Sequence, residues 1–494
     1  MSKWSLLGTG TATALIFSGG AAFADVSARD VWTQWTQSLE GLGYTFVTSG
    51  EQMAGDTLVV SDVVMSMTRP EGTFDMNVAE IRLKETGDGK VVVTMSNDIP
   101  IWATSTAEDM PPVNTTMMMR QQGYEMTVSG VPENMAYDVV ATEIAVEGTG
   151  TGGDATNPEG EFVMTLRDIA GAYQLDTAKG QNITANFSAS AFEMTASGTD
   201  PETNGMFDMS ANVANSVSSF SGYMPDGVDM NDMTAAITAG FFGEGEVNMG
   251  ASSFNMNFAD ETGPGSMAST GDGALLHFSL SGDGLEYGVD AGASTVQIMA
   301  PTLPLPIDVA LSSTNFLMSM PIVKGEELQN FALKLGLGGL TVSESIWAMF
   351  DPTAQLPRTP AEMLIDVTGT VKLIANLFDP ADLEANPVPG EMNAVTVHGL
   401  RVAAAGADLT GTGDFTFDNS MGIPMPMGAV DLRLIGAYAL MDKLSAMGLL
   451  PAEQAAGFKA MLGLFAVPVG ADELTSKIEM REDGGVYANG QRLQ

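Results

Sequence analysis

The feature that most constrains the fold is the alternation of apolar and polar residues over many short segments. Residues 57–68 (TLVVSDVVMSMT), 74–85 (FDMNVAEIRLKE) and 90–96 (KVVVTMS) are β-branched or alternate with a period of two. This period sends successive side chains to opposite faces of a strand. Because Gly, Pro and Asp-Gly turns separate the segments, the pattern predicts an antiparallel meander of amphipathic strands.

The same pattern continues along the chain. We predict further strands at residues 124–129, 135–147, 161–166, 181–197, 206–213, 246–258, 274–281, 285–289, 294–299, 362–374, 393–403, 407–417, 428–435, 474–480 and 486–493. Phe-x-Met triplets recur at 74–76, 192–194, 207–209, 254–256 and 316–318. Their spacing places Phe and Met on one face of each strand. Residues 148–160, rich in Gly, Thr, Asn and Pro, are predicted to form a long exposed loop.

A few helices interrupt the strands. Ser27 and Asp30 begin a predicted helix with apolar residues at helical spacing, which ends near Gly41 and Gly43. Shorter helices are predicted at 230–237 and after Ser343, and a helical hairpin at 437–447 and 451–465. We therefore predict a mainly β protein with long twisted antiparallel sheets. The N-terminal helix and the C-terminal helical hairpin pack on the sheet, the hairpin covering one face or plugging one end.

The N-terminus resembles a secretory signal peptide. Lys3 supplies positive charge, residues 6–17 are apolar and uncharged, and Ala22-Phe23-Ala24 gives a small-x-small cleavage pattern. We predict cleavage after Ala24 and a periplasmic location. No later segment has about 20 uninterrupted apolar residues, so we predict no transmembrane helix in the mature chain. The remainder divides into three predicted regions, residues 25–225, 226–342 and 343–494.

Composition excludes several functions. The chain carries 61 acidic against 20 basic residues, for a net charge of −41, which opposes binding to nucleic acid phosphates. It has no Cys and two His, His277 and His398, and it lacks the common nucleophile, zinc and phosphate-loop motifs. We therefore predict a non-enzymatic protein without a cofactor. The 35 Met are interpreted as an adaptable apolar lining rather than as copper ligands.

Several motifs in the C-terminal third resemble those of one family. These are WAMFDP at 347–352, LPRTP at 356–360, DVTG at 366–369, LFDP at 377–380 and the ending at 474–493. Residues 343–494 are most similar to exported alphaproteobacterial proteins catalogued as domain of unknown function 2125, a resemblance that implies no activity and no site residues. More loosely, the strand pattern is similar to AsmA-like periplasmic proteins, whose apolar sheet faces are associated with lipid handling.

Seven residues are assigned structural roles. We expect a joint at the end of a helix, formed by Trp347, Phe350, Asp351, Pro352 and Arg358. We also expect Asn489 and Gly490 to determine the shape of the last strand. Arg358 is expected to neutralise a nearby carboxylate in the joint. These predictions concern stability, and no catalytic, metal or cofactor-binding residue is predicted.

Three functions remain open. The first is a periplasmic binding or carrier protein whose sheet face, lined by Phe, Met, Leu and Val, holds a lipid or another apolar ligand. The second is an envelope-assembly protein with a fully packed core, a protein partner and no ligand. The third is an outer-membrane β-barrel, against which stand only eight Tyr and five Trp, a terminal Gln494 and the predicted helices. We favour the first.

Overall fold

The structure is a computed structural model that describes residues 25–493 apart from 42, 70–71, 106–112, 152–159, 200–204, 231 and 421. The predicted signal peptide, residues 1–24, lies outside the described residues. The fold is mainly β: 29 strands belong to one sheet, and six helices accompany it.

The elements have the following bounds. The helices are α1 (Ala28–Gly41), α2 (Met233–Thr238), α3 (Glu344–Phe350), α4 (Pro380–Ala385), α5 (Ala437–Ala446) and α6 (Ala452–Phe465). The strands of the first half are β1 (Thr45–Val47), β2 (Gly50–Ala54), β3 (Thr57–Arg69), β4 (Gly72–Glu85), β5 (Val91–Met95), β6 (Asp98–Ser105), β7 (Val113–Gln122), β8 (Glu125–Val131), β9 (Asn134–Thr151), β10 (Gly160–Asp176), β11 (Gln181–Thr199), β12 (Met206–Met224), β13 (Phe242–Met249) and β14 (Ser252–Asp260). Those of the second half are β15 (Gly263–Gly271), β16 (Ala274–Ser281), β17 (Gly284–Ala291), β18 (Ser294–Met299), β19 (Ile307–Leu311), β20 (Ser313–Met320), β21 (Gln329–Val342), β22 (Ala361–Leu373), β23 (Gly390–Ala404), β24 (Ala407–Asp418), β25 (Met425–Ile435), β26 (Val467–Gly470), β27 (Glu473–Met480), β28 (Val486–Ala488) and β29 (Gln491–Arg492).

Long strands alternate with pairs of shorter strands laid end to end. β4 pairs with both β5 and β6, and these lead through β8 and β7 to the single long strand β9. The arrangement recurs after β12, which pairs with β13 and β14. Two series of short strands, which end in β20 and β19 respectively, then lie end to end, and both pair with the long strand β21. From β21 to β25 the sheet continues as simple antiparallel neighbours. All paired strands are antiparallel, as the meander pattern predicts.

The alternation of apolar residues shifts by one position in the middle of the long strands. In β3 the buried residues are Leu58 and Val60, then Val63, which has the opposite parity. All three belong to one hydrophobic cluster, so the shift keeps the apolar side chains on one face. Asp62 lies between them with a φ of 48°. The register with β4 is unbroken across Asp62, since Ser61 pairs with Glu80 and Val63 with Val78. The shift therefore comes from the left-handed backbone and not from an inserted residue.

The same device recurs at the middle of the next long strands. Asp168 of β10 and Asn215 of β12 have φ values of 46° and 49°. Asp and Asn tolerate the left-handed region better than other non-Gly residues. Asp62 accepts a hydrogen bond from the Ser49 hydroxyl at 2.7 Å, and Asp168 accepts one from Ser190 at 2.8 Å. The polar side chains thus hold the irregular backbone in place.

The principal core lies where α1 crosses the N-terminal strands. Ser27 and Asp30 cap each other across the first turn, at 3.0 and 3.2 Å, the reciprocal capping arrangement that the sequence predicts. Trp32 is buried with residues of β3, β4, β5, β8 and β9. Its indole donates to the Glu51 carboxylate at 3.0 Å. The helix therefore packs on the sheet, as predicted.

The C-terminal helical hairpin, α5 and α6, is attached at the ends of β25 and β27. Gly436 donates its backbone N–H to Asp472 O at 2.9 Å, which closes the base of the hairpin. The two helices contact each other, and α5 contacts β24. Each helix buries one residue, Ala437 and Ala455 respectively. The hairpin therefore meets the sheet through α5, while α6 remains largely exposed.

Several predicted boundaries need correction. The segment 246–258 is two strands, β13 and β14, while 161–166 and 206–213 are only the first halves of β10 and β12. The predicted loop at 148–160 is shorter, because β9 continues to Thr151 and β10 begins at Gly160; residues 152–159 lie outside the description. β15 (GPGSMASTG) escapes prediction because Gly, Ser and Thr carry almost no apolar periodicity.

Candidate functional site

The predicted joint at 343–360 forms around a buried carboxylate. Asp351 is 1% exposed and accepts hydrogen bonds from the backbone N–H groups of Gln355 and Leu356, at 2.9 and 2.8 Å. Arg358 donates to the same carboxylate at 2.5 Å. Its guanidinium lies 4.3 Å from the ring centre of Trp347. The structure thus brings Arg358, Asp351 and Trp347 together.

The remaining predicted joint residues lie at its surface. The Phe350 ring is 5.0 Å from that of Trp347, and Pro352 is exposed. Burial by itself would raise the pKa of Asp351, but the hydrogen bonds from Arg358, Leu356 and Gln355 outweigh it and lower that pKa below its ordinary value. The same pair raises the pKa of Arg358. Because its polar atoms are satisfied internally, the joint has the character of a structural clasp.

Asn489 and Gly490 form the turn between β28 and β29. Their φ values are 50° and 84°, as a two-residue hairpin turn of the primed type requires. The Asn489 side chain accepts from Lys477 N at 2.9 Å and donates to Phe465 O at 2.9 Å. This residue therefore joins the last strands to the end of α6, and it contacts neither Asp351 nor Arg358.

No metal centre is apparent among the described residues, since no three His, Asp or Glu side chains converge there. The two histidines lie on different strands, β16 and β23. His398 shares a hydrogen bond with Thr368 at 2.7 Å, and His277 lies 3.6 Å from Glu286. The two histidines are therefore not brought together.

The most extensive surface feature of the described sheet is one apolar face. Directly paired residues share a face, so the strand register identifies which side chains lie side by side. One such row, called here the apolar row, crosses eighteen strands without a charged residue. Its members are Leu58, Leu83, Val93, Met126, Val139, Gly171, Phe187, Ser218, Val247, Leu276, Val289, Phe316, Leu335, Ile365, Leu400, Gly411, Leu432 and Ser476.

Exposure changes along the apolar row. Leu58, Leu83 and Val93 are fully buried in the core beneath α1. From β10 onward most members are half-buried, and Phe187 is exposed. The row therefore begins in a packed core and continues as an accessible surface.

Aromatic rings lie within the apolar row and next to it on this face. The ring centres of Tyr137 and Tyr173 are 4.2 Å apart in a stacked arrangement, and that of Phe187 is 6.5 Å from Tyr173. Further along, Phe220 and Phe278 are 6.3 Å apart. Tyr287 and Phe316 follow at 6.1 Å. We call these seven residues the aromatic strip.

Glycines allow the phenyl rings of the aromatic strip to lie flat on the sheet. A Cβ on Gly171 would come within 2.1 Å of the Phe187 ring, and one on Gly245 within 2.5 Å of Phe278. Each pair is directly opposed across neighbouring strands. Rings that cover glycines in this way compensate for the missing side chain. They also leave a broad apolar surface facing outward.

The tyrosines at the covered end remain neutral at physiological pH. Burial raises the pKa of Tyr137 to about 12 and drives that of Tyr173 higher still. The Tyr137 hydroxyl donates to Gln34 of α1 at 2.9 Å. Since both phenols stay protonated, the end of the aromatic strip beneath α1 carries no charge.

The opposite face of the sheet, called here the polar face, carries the charged side chains, although Val140, Val163 and Val217 are also exposed on it. Two adjoining depressions of about 1130 and 880 Å³ lie mainly on this face and share Thr149, Glu161, Ser197, Asp208 and Asn257. Ion pairs such as Arg167 to Glu193, at 3.1 Å, also belong to it. The described apolar face is thus an open surface, and these depressions do not enclose it.

The comparisons with known proteins identify the family. Residues 235–493, slightly more than half of the chain, match the family described as uncharacterized protein conserved in bacteria (DUF2125). The chain therefore belongs to the domain of unknown function 2125 family, in agreement with the motifs at 347–380 and 474–493. No curated protein and no solved structure shows a significant match. In the described part of the chain, no helix combines the length and apolar character needed to cross a bilayer.

Sequence reasoning did not single out the aromatic strip. Tyr137, Tyr173, Phe187, Phe220 and Phe278 come from five strands, and only the register shows that they lie together. The corresponding sequence signal is a Gly on one strand that lies directly opposite a Phe on the next. This signal can be recognised only when the neighbouring strands and their register are known, so a single sequence does not reveal it.

Proposed function

We propose that this protein is exported to the periplasm and acts, without catalysis, as a binding or carrier protein that holds lipid acyl chains against its apolar sheet face. The observation that supports this proposal most strongly is the uncharged apolar row, together with the exposed rings of the aromatic strip at Phe187, Phe220, Phe278 and Tyr287. Soluble monomers rarely leave a large contiguous apolar surface uncovered. A ligand that covers the surface accounts for its persistence over so many strands.

An acyl chain suits this surface in shape and chemistry. The face offers no charged partner along the apolar row, which favours an uncharged and flexible ligand. Burial contributes about 0.8 kcal/mol for each CH₂ group. Neighbouring strands are about 4.8 Å apart, so the thirteen members from β10 onward extend over about 58 Å when measured across the strands. Such a length accommodates several chains in succession.

Methionine side chains on the neighbouring strands β12, β14 and β15 support the same proposal. Met209, Met256 and Met267 are directly paired neighbours on β12, β14 and β15, and Met117 occupies the same face on β7. Unbranched thioether side chains adapt to ligands of different shape. We therefore propose a site that accepts acyl chains of varied length rather than one defined molecule.

The proposal is tested by ligand binding with substitutions on the two faces of β12. Phe220 lies in the aromatic strip and is 39% exposed, whereas Val217 lies on the opposite face and is 54% exposed. We expect Phe220→Ser to weaken binding of the apolar dye 1-N-phenylnaphthylamine roughly tenfold. Val217→Ser serves as the matched control and should leave binding unchanged. Equal affinity in both variants and the unmodified chain would contradict the proposed site.

Export is tested separately from binding. The chain with its own N-terminus is expressed in a Gram-negative host, and the periplasm is released by osmotic shock. We expect the protein in the released fraction, with a mature N-terminus at Asp25. Retention of residues 1–24 on protein in the cytoplasmic fraction would contradict export and leave the binding test independent.

A further inference from the structure

The C-terminal hairpin presents an apolar surface that is distinct from the apolar sheet face. In α6, Phe458, Met461, Leu464 and Phe465 are all exposed. Their spacing of three, three and one places them along one side of the helix. Val467 and Val469 of β26 continue the same exposed segment. Such clustering differs from the isolated exposed apolar residues that are common on soluble proteins.

Hydrogen bonds fix both ends of the hairpin to the strands, although the outer side of α6 is exposed. Asp472 accepts hydrogen bonds from Tyr438 N and Ala439 N, at 3.0 and 2.9 Å, and so caps α5. The far end of α6 is fixed because Phe465 O accepts from Ser476 and Asn489. A short ion pair between Lys459 and Asp442 links the two helices. The exposed side chains are therefore displayed on a fixed support.

Charge distinguishes the hairpin from the rest of the chain. Residues 437–470 contain two acidic residues, Asp442 and Glu453, and two basic residues, Lys443 and Lys459, so their charges cancel. The whole chain carries −41, and residues 460–471 contain no charged residue at all. A second copy of the chain would bring another −41 to the interface, and this repulsion opposes self-association.

We propose that the α5–α6 hairpin docks the protein on the surface of a lipid bilayer, with α6 lying in the plane of the interface. A helix of 14 residues extends about 21 Å, shorter than the hydrocarbon core of about 30 Å. The helix therefore fits along the membrane surface rather than across it. Because the hairpin is neutral and the remainder is acidic, zwitterionic lipid is the preferred surface. This inference does not depend on ligand binding to the sheet face.

Flotation with vesicles of phosphatidylcholine tests the docking surface. The exposed side chains of Met461 (49%) and Leu464 (62%) are replaced together, as Met461→Ser with Leu464→Ser. We expect the chain to float with these vesicles and the double variant to bind at least about tenfold more weakly. Val217→Ser, which removes an equally exposed apolar side chain from the sheet, is the control. It should float like the unmodified chain.

Three results would overturn the proposal. The first is absence of flotation with phosphatidylcholine, and the second is equal flotation of the double variant. The third is a dimer in sedimentation that the double variant dissociates, since a second copy would then cover α6. Phe220→Ser distinguishes this site from the sheet face, because it should float normally while losing the dye. Vesicles containing phosphatidylglycerol should bind no more tightly, since the acidic chain is repelled from them.

Discussion

At the scale of single residues, the structure shows how a chain with a large excess of acidic residues tolerates a buried carboxylate. Asp351 is satisfied by two backbone N–H groups and Arg358, while Arg358 also stacks on Trp347. Removing the guanidinium leaves a buried charge without its cation, which is far more costly than losing an exposed pair. The sequence indicated that Arg358 has a carboxylate partner, but it could not identify Asp351 as that partner.

Replacement of Arg358 should therefore destabilise the fold. We expect Arg358→Ala to lower the melting midpoint by several degrees, measured by circular dichroism at pH 7. Arg433 is the control because its ion pair with Glu473, at 2.8 Å, is half-exposed. Arg433→Ala should change the midpoint by less than about one degree. An equal midpoint for Arg358→Ala and the unmodified chain would show that the clasp contributes nothing to stability.

The contribution of Asp351 should also depend on pH. Its pKa is lowered in the folded state relative to an ordinary value of 3.8. A group of this kind stabilises the fold above its unfolded-state pKa, and the stabilisation disappears as pH falls through the folded-state pKa. We expect the gap in melting midpoint between the unmodified chain and Arg358→Ala to be constant from pH 7 to about pH 5. It should narrow below about pH 4, and a gap that widens there would contradict the assignment.

At the scale of elements, the alternation of apolar residues changes phase at Asp62, Asp168 and Asn215, where the backbone is left-handed. These positions bear on which strands the sequence predicted in full and which it predicted in part. The alternation identified β4, β22 and β24 closely, and it identified β3 through the phase change at Asp62 because Leu and Val lie on both sides of that residue. In β10 and β12 the residues beyond Asp168 and Asn215 are mostly small or polar, so the alternation is lost there. The predicted strands at 161–166 and 206–213 therefore ended where the phase changes. The short partner strands were harder to assign, because their pairing depends on register between distant segments. Five of the six helices were predicted, because caps and 3.6-residue periodicity are local, but the short helix α4 was not.

The left-handed backbone at Asn215 gives an element-scale prediction. A β-branched residue is strained at a φ of 49°. We expect Asn215→Val to lower the free energy of unfolding by about 1 to 2 kcal/mol, whereas Asn215→Gly should be neutral or slightly stabilising. Asn212→Val places the same side chain at an ordinary position of β12 and serves as the control. Urea unfolding would disprove the assignment if Val were tolerated equally at both positions.

At the scale of the whole molecule, the two faces of one sheet divide the composition between them. The polar face carries ion pairs such as Arg167 to Glu193, while the apolar row crosses eighteen strands without a charge. Sequence alone predicted this division into polar and apolar sides, and it predicted the mainly β fold. It left open whether the apolar side would be accessible to a ligand or fully packed in a core. Composition contains no information about which elements cover a face.

The central claim, that the apolar sheet face holds acyl chains, is tested most directly by what accompanies the protein on purification. The chain is released from the periplasm by osmotic shock, purified without detergent, denatured, and extracted with chloroform and methanol for mass spectrometry. We predict stoichiometric acyl lipid from the unmodified chain and from Val217→Ser, with a marked loss from Phe220→Ser. A folded chain that releases no lipid, or equal amounts from all three proteins, would contradict the claim.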